Sequence, residues 1–461
     1  MGLKNYLNFI FLVFLLAGCK WSSVGDILSN PRSMLQADDA SRDLNKPSAD
    51  SLEFSLDEVI DTASVDLNIN DGFKAVVKAS VENDPEVVRA KQEYQANQSS
   101  VKTTKTQKDF QISGNLYGGV EDLTDEIVGV AGVLNASRLV FDGGQLDSQI
   151  SAQEFRALAS LSNYYAKLDN RIANVGKLWI ELERYSALND LIGSRLNVLR
   201  PLIGQLEKVA QAGVGDRSQV AAAQRTVSMI SVIQADVVER FEQARLNFSN
   251  QFGQLPGSVR YDSQMISSAV PDSISRSQVL NAPGLRGAFF GYQSALANLR
   301  SIEAKDNFNV GFEAKLQRPF GNSDYSSDES LGLVVRRTLY DGNKLNAEIE
   351  QATAQVEGQL AILRATFKEG KRSVEAAQQT ILSLDKAITL AKKNAANAKE
   401  EIEYLRKQLV IGQSTLDSVL NAEARLYEAE SKEINLIAER QVAELLILGS
   451  LGELAEIFEL R

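Results

Sequence analysis

Two ten-residue stretches of this chain carry nearly the same message: SRLVFDGGQL at 137–146 and RRTLYDGNKL at 336–345. Each places an Arg, an aromatic residue and then Asp-Gly ahead of a long helical sequence, 199 residues apart. The correspondence reaches further. NDPEVVRAKQEYQANQSSVKTTKTQKDFQISGNL (83–116) aligns with NAPGLRGAFFGYQSALANLRSIEAKDNFNVGFEA (281–314), and AGVGDRSQVAAAQRTV (212–227) aligns with IGQSTLDSVLNAEARL (411–426), at offsets of 198 and 199. A near-constant offset across separate landmarks marks a tandem duplication, here spanning roughly 72–252 and 282–451. The fold is therefore one unit used twice.

Each unit runs helix, strand, strand, long helix, turn, helix. In FQISGNLYGGV (110–120), Phe110, Ile112, Leu116 and Val120 share a face with Gly114 and Gly118, while Gln111, Ser113, Asn115 and Tyr117 take the other. FNVGFEAKLQR (308–318) repeats this, with Phe308, Val310, Phe312, Ala314 and Leu316 against Asn309, Glu313, Lys315 and Gln317. Period-two alternation marks a strand with one apolar and one wet face. The expected layout gives a first repeat over 53–253, with strands at about 109–120 and 127–141, a long helix 143–211 and a return helix 216–252. A linker covers 254–281. The second repeat covers 282–451, with strands at about 307–318 and 330–341, a long helix 343–411 and a return helix 414–450, before a tail at 452–461.

Strands of this length suit a tilted membrane barrel, which needs ~9–11 residues per crossing. Four strands close no membrane barrel, and open edges are not tolerated in lipid. The chain must therefore pool strands with other copies. Each long helix, at nearly 70 residues, makes a rod of roughly 100 Å, and pairs of shorter helices are expected to stack end to end beside it. Leu405, Leu409, Leu416, Val419, Leu420, Leu426, Ile434, Ile437, Leu445 and Leu448 recur at helical spacing and read as packing seam.

Composition narrows the function. The chain has no His, which removes the commonest proton-transfer group and metal ligand. No zinc spacing, Walker loop or dinucleotide fingerprint is present, so neither an enzyme nor a metal site is expected. A net charge of −11 argues against nucleic acid as a partner. The sole Cys, Cys19, ends MGLKNYLNFIFLVFLLAGC, a charged and then apolar leader too short for a stable span. Its LAGC matches the bacterial lipoprotein signal. Residues 1–18 are thus expected to be a signal peptide, Cys19 the lipidated N-terminus, and 19–52 a polar tether.

Together these features resemble the TolC-like family of outer membrane efflux and secretion channels. The resemblance rests on the FDGG and YDGN junctions (141–144 and 340–343) and on LVIGQSTLDSVLNAEARLYEAE (409–430). It implies a mainly α fold with membrane β structure, assembled as a homotrimer. Four strands per chain would form a twelve-stranded β-barrel in the outer membrane, and the paired long helices a periplasmic α-barrel. It implies partnership with a periplasmic adaptor (membrane fusion protein) and an inner-membrane transporter, and no cofactor beyond the lipid on Cys19. The junctions Phe141, Asp142, Gly143, Gly144, Tyr340, Asp341 and Gly342 would turn each strand into a helix. Ala212, Gly213, Val214, Gly215 and Asp216, with Ile411, Gly412, Gln413, Ser414 and Thr415, would form the adaptor-docking tips. Glu400, Glu403 and Arg406 are candidates for a periplasmic aperture, with Arg406 able to pair across subunits. The positions of Arg138 and Arg337 lean toward type I protein secretion, with small-molecule efflux as the alternative. A coiled-coil lipoprotein scaffold without a channel is a second alternative, which leaves the alternating strands unused.

Overall fold

A computed structural model of the chain describes residues 72–120, 128–211, 217–255, 261–271, 273–321 and 323–461. The signal peptide, Cys19, the tether and the first tip, Ala212–Asp216, lie outside the described residues. The described part falls into two compact units: a sheet unit of 111–137 and 313–332, and a larger helical unit holding the rest.

In chain order, α1 (Phe73–Glu82) and α2 (Pro85–Lys105) precede β1 (Gln111–Val120) and β2 (Val128–Phe141). Then come α3 (Gln145–Gln211), α4 (Arg217–Phe252), α5 (Ser263–Ser267), α6 (Arg276–Asn281) and α7 (Pro283–Glu303). Strands β3 (Asn309–Phe320) and β4 (Asp328–Arg336) lead into α8 (Lys344–Val410), α9 (Leu416–Leu451) and α10 (Leu454–Ile457).

The four strands form one sheet in the order β1-β2-β3-β4. β1 and β2 pair antiparallel, with Gln111 opposite Ser137 and Leu116 opposite Gly132. Because neighbours across a ladder share a face, this register sets Ile112 and Leu116 with Leu134 and Ala136. Ile112 and Leu116 are exposed, as are Leu331 and Leu333. The opposite face holds a recess of about 310 Å³ lined by Tyr117, Asn135, Lys315, Gln317 and Tyr325, among others. At Gly132 an added Cβ would lie 2.6 Å from the Phe320 ring, so a glycine is what lets β2 carry that ring.

In the helical unit, α3 packs against α2, α4, α7 and α9, whereas α8 packs mainly against α7 and α9, with the short α6 beside it. Burial follows: α8 buries only Ala352, Val374, Ile381, Ala391, Ala395 and Ile402 over 67 residues. The main core surrounds the middle of α3, where Trp179, Ile172 and Ile180 meet Phe73, Phe248 and Phe458. Phe73 is its hub, edge-on to Trp179, Tyr261 and Phe458 with centroids 5.4, 5.0 and 5.7 Å away.

Several expectations need correction. The one helix expected to open the first repeat is two, because Asp84 breaks it and caps the second, accepting from the Glu86 and Val87 amides at 3.0 and 3.2 Å; Pro85 then takes the N1 position that suits it. The strand expected over 330–341 is β4, Asp328–Arg336. β4 is an edge strand with a neighbour on one side only, whereas β2 lies between β1 and β3. The 452–461 tail is part of the core, since Leu454, Ala455 and Phe458 are fully buried. Likewise the linker is not a bare connection: it forms α5 and α6 and buries Tyr261, Ile266 and Val279.

Candidate functional site

The two Asp-Gly junctions are built alike. Asp142 accepts from the Gly144 amide (3.0 Å) and the Leu146 amide (2.7 Å). Asp341 accepts from Lys344 (3.1 Å) and Leu345 (2.8 Å). Each carboxylate thus satisfies amides that open a long helix, as a capping side chain does. The turn needs two left-handed residues: Gly143 (φ 67°) and Gly144 (φ 86°) in the first copy, Gly342 (φ 69°) and Asn343 (φ 70°) in the second. Gly and Asn are the residues that tolerate this region best.

Their surroundings differ. A Cβ at Gly143 would strike the Asn307 side chain at 2.3 Å, while Gly342 has nothing within 4 Å. Asp142 is half-buried and Asp341 exposed; Tyr340 is among the most exposed aromatics. Repeat two covers the first junction. The second lines an open recess shared with Lys305 and Asp306.

The second tip is a closed helix end. Gly412 is left-handed at φ 76°; its amide donates to the Leu409 carbonyl (3.1 Å) and the Gln413 amide to Gln408 (2.9 Å), the Schellman arrangement. Thr415 caps α9, its hydroxyl accepting from the Ser418 amide at 3.2 Å. The turn presents two apolar side chains, Val410 and Ile411, largely to solvent.

Known proteins match this combination of long helical hairpins and a four-stranded sheet. The family model described as outer membrane efflux protein matches residues 274–453. Outer membrane efflux protein BepC of Brucella suis biovar 1 (strain 1330) is 21% identical over 359 residues, covering 75% of this chain and 77% of that protein. Two solved structures share the fold. CusC gives a TM-score of 0.71 at 17% identity over 82% of this chain and 91% of that one. VceC from Vibrio cholerae gives 0.67 at 16% identity over 82% and 95%. Over 274–453 the chain thus resembles outer membrane efflux proteins, and it shares the fold of CusC and VceC.

In this chain the expected aperture residues separate. Glu400 and Glu403 are exposed on α8. Arg406 does not turn to them; its guanidinium meets Glu423 on α9. Glu423 is fully buried, and Arg195 of α3 approaches its other oxygen at 3.5 Å while also pairing with Glu430. Arg425 joins α9 to Glu401 of α8 at 2.6 Å. One carboxylate therefore links three helices just above the second tip. Sequence reasoning passed over Glu423, although its place among Val419, Leu420, Ala422 and Leu426 was the available signal: a charge on a buried stripe requires a partner.

A second buried carboxylate was also missed. Asp169 of α3 accepts from the Ala455 amide at 2.8 Å and is fully buried. Burial pushes its pKa up to about 7, against the lowering effect of that hydrogen bond. Glu444 is likewise fully buried, held by Arg440 and by the Ser267 hydroxyl at 2.9 Å, and its pKa is raised by burial. Both tie the linker and tail to the long helices.

Proposed function

We propose that this chain is the outer membrane duct of a tripartite export system, assembled as a homotrimer and passive in transport. The observation that carries the reading is the sheet. Its one face is apolar and exposed, its other carries Tyr117, Asn135, Lys315 and Gln317 beside the buried Ala131 and Val133, and among the described residues both outer edges, β1 and β4, are unpaired. Lipid tolerates such edges only when other copies close them. Three copies supply twelve strands, and the family's homologues are trimeric channels. The passive role follows the family, whose members are channels and not enzymes.

By the same reading, Cys19 carries the lipid anchor in the outer membrane. The second tip, with Val410 and Ile411 at its apex and Gly412, Gln413, Ser414 and Thr415 shaping it, docks a periplasmic adaptor that connects to an inner-membrane transporter. The corresponding stretch of repeat one, 212–216, is a second docking point by the same reading. Glu400 and Glu403 line the periplasmic aperture, and Arg406 braces it through Glu423.

For cargo we propose small-molecule efflux rather than type I protein secretion. The relative BepC is named an efflux protein. The two arginines behind the secretion reading are stacked on exposed aromatic rings of the chain itself, Phe110 and Phe308. Light scattering of the detergent-purified mature protein, corrected for detergent, followed by planar-bilayer conductance, tests the duct. A trimer that conducts is expected; a folded monomer, or a trimer without conductance, refutes it. Drug susceptibility of a deletion strain, set beside its secreted proteins, tests the cargo: hypersensitivity with an unchanged secretome is expected.

A further inference from the structure

Arg138 and Arg337 stand out on chemistry alone. The strand register puts Gln111 opposite Ser137, so Phe110 and Arg138 fall opposite each other on the apolar face. Along β2 that face reads Leu134, Ala136, Arg138, Val140, one guanidinium in an apolar column. In repeat two Leu333 and Val335 lie on β4, and Arg337 follows directly on its end at Arg336, with Leu339 two residues on. Leu134, Val140, Leu333, Val335 and Leu339 are all exposed.

In both copies the cation lies on an exposed ring. The Arg138 guanidinium carbon is 5.2 Å from the centroid of Phe110, and that of Arg337 is 5.1 Å from Phe308. The Arg138 Nε also donates to the Lys108 carbonyl at 3.3 Å. A guanidinium in a lipid-facing column is costly at the bilayer centre and favoured where it can reach headgroups. Its planar fork matches phosphate, and the ring beneath pre-orients it.

We propose that Arg138 on Phe110, and its repeat Arg337 on Phe308, bind the phosphodiester of an anionic phospholipid headgroup, fixing the level of the channel in the membrane. The proposal rests on the reading of the strands as membrane strands. The two copies are unequal. The position held by Lys108 in the first repeat is Asp306 in the second, and Asp306 already lies 3.5 Å from Arg337. Arg138 is therefore the tighter site.

The experiment uses the full mature protein in detergent, titrated with phosphatidylglycerol or phosphatidylcholine, with lipid retention read by native mass spectrometry. Wild type is expected to prefer phosphatidylglycerol and to lose that preference with rising salt. Arg138→Gln and Arg337→Gln are each expected to weaken it, by up to roughly fivefold per arginine, with Arg138→Gln the larger. Arg318→Gln, whose guanidinium pairs with Glu329 in the sheet unit, is expected to leave it unchanged. Salt-independent retention, an unaffected double variant, or displacement by inorganic phosphate at matched ionic strength overturns the proposal; the last would indicate a soluble phosphate site. Mass and conductance of the same samples separate the two readings. A conducting trimer without lipid preference defeats only this inference, whereas a non-conducting monomer defeats the channel itself.

Discussion

At the scale of single residues, the carboxylates carry most of the meaning, and each does so by where it ends up. Asp142 and Asp341 hold the first amides of α3 and α8. Alanine at either is expected to cost about 1 kcal/mol, the usual loss of a cap, visible as a lower midpoint in denaturant unfolding. Asp169 is different in kind. Its folded pKa stands at about 7 against an ordinary 3.8, so the native state holds a proton that the unfolded chain has released. Stability from this group is therefore full below pH ~4 and falls as pH rises toward 7. Asp169→Asn is expected to flatten that fall, so thermal melts of variant and wild type at pH 5 and pH 8 should differ in slope. An equal pH dependence in both would show that Asp169 does not titrate as its burial requires.

Among the helices, the decisive contacts are those that join one helix to another. Glu423 couples α8, α9 and α3 through Arg406 and Arg195. Glu423→Ala leaves two cations without their shared carboxylate. Since Arg406 is partly solvated, the cost should fall below the 3–5 kcal/mol typical of a broken buried pair, at about 1–3 kcal/mol. Hydrogen exchange is expected to rise over 400–425 while the core around Trp179 keeps its protection. Much of this level was legible in the sequence. The seam residues Val419, Leu420, Leu426, Leu445 and Leu448 are buried in α9, because a 3.6-residue period allows them only one shared face. The pairing of Arg406 was not legible. Which of several nearby carboxylates an arginine reaches depends on the angle and rotation between helices, and periodicity leaves both open.

For the whole molecule, the duplication predicts its own assembly. Inside one chain, α3 of repeat one packs against α7 and α9 of repeat two. By the repeat, α8 should pack against α2 and α4 of the next copy. Gly176 of α3 meets Leu445 of α9, where an added Cβ would lie 2.6 Å from the leucine. The repeat equivalents are Glu375 of α8 and Leu246 of α4, and Leu246 is 58% exposed within the chain. Leu246→Glu is then expected to lower the trimer fraction in light scattering by placing like charges together, with helical content unchanged. Adding Glu375→Lys should restore it. A fully trimeric single variant would mean that the interface between copies does not repeat the one within the chain.

Read alone, the sequence determined the duplication, the order of elements, the alternating faces of the strands and the Asp-Gly turns. Those features rest on interactions a few residues apart, or on a period that one helix or strand imposes on itself. Tertiary structure alone decided that Phe458 and Tyr261 belong to the core, that β4 ends at Arg336, that Asp169 is buried, and that Arg406 turns to Glu423. Each depends on what a distant part of the chain brings alongside. No local pattern encodes the desolvation or the missing ladder that results.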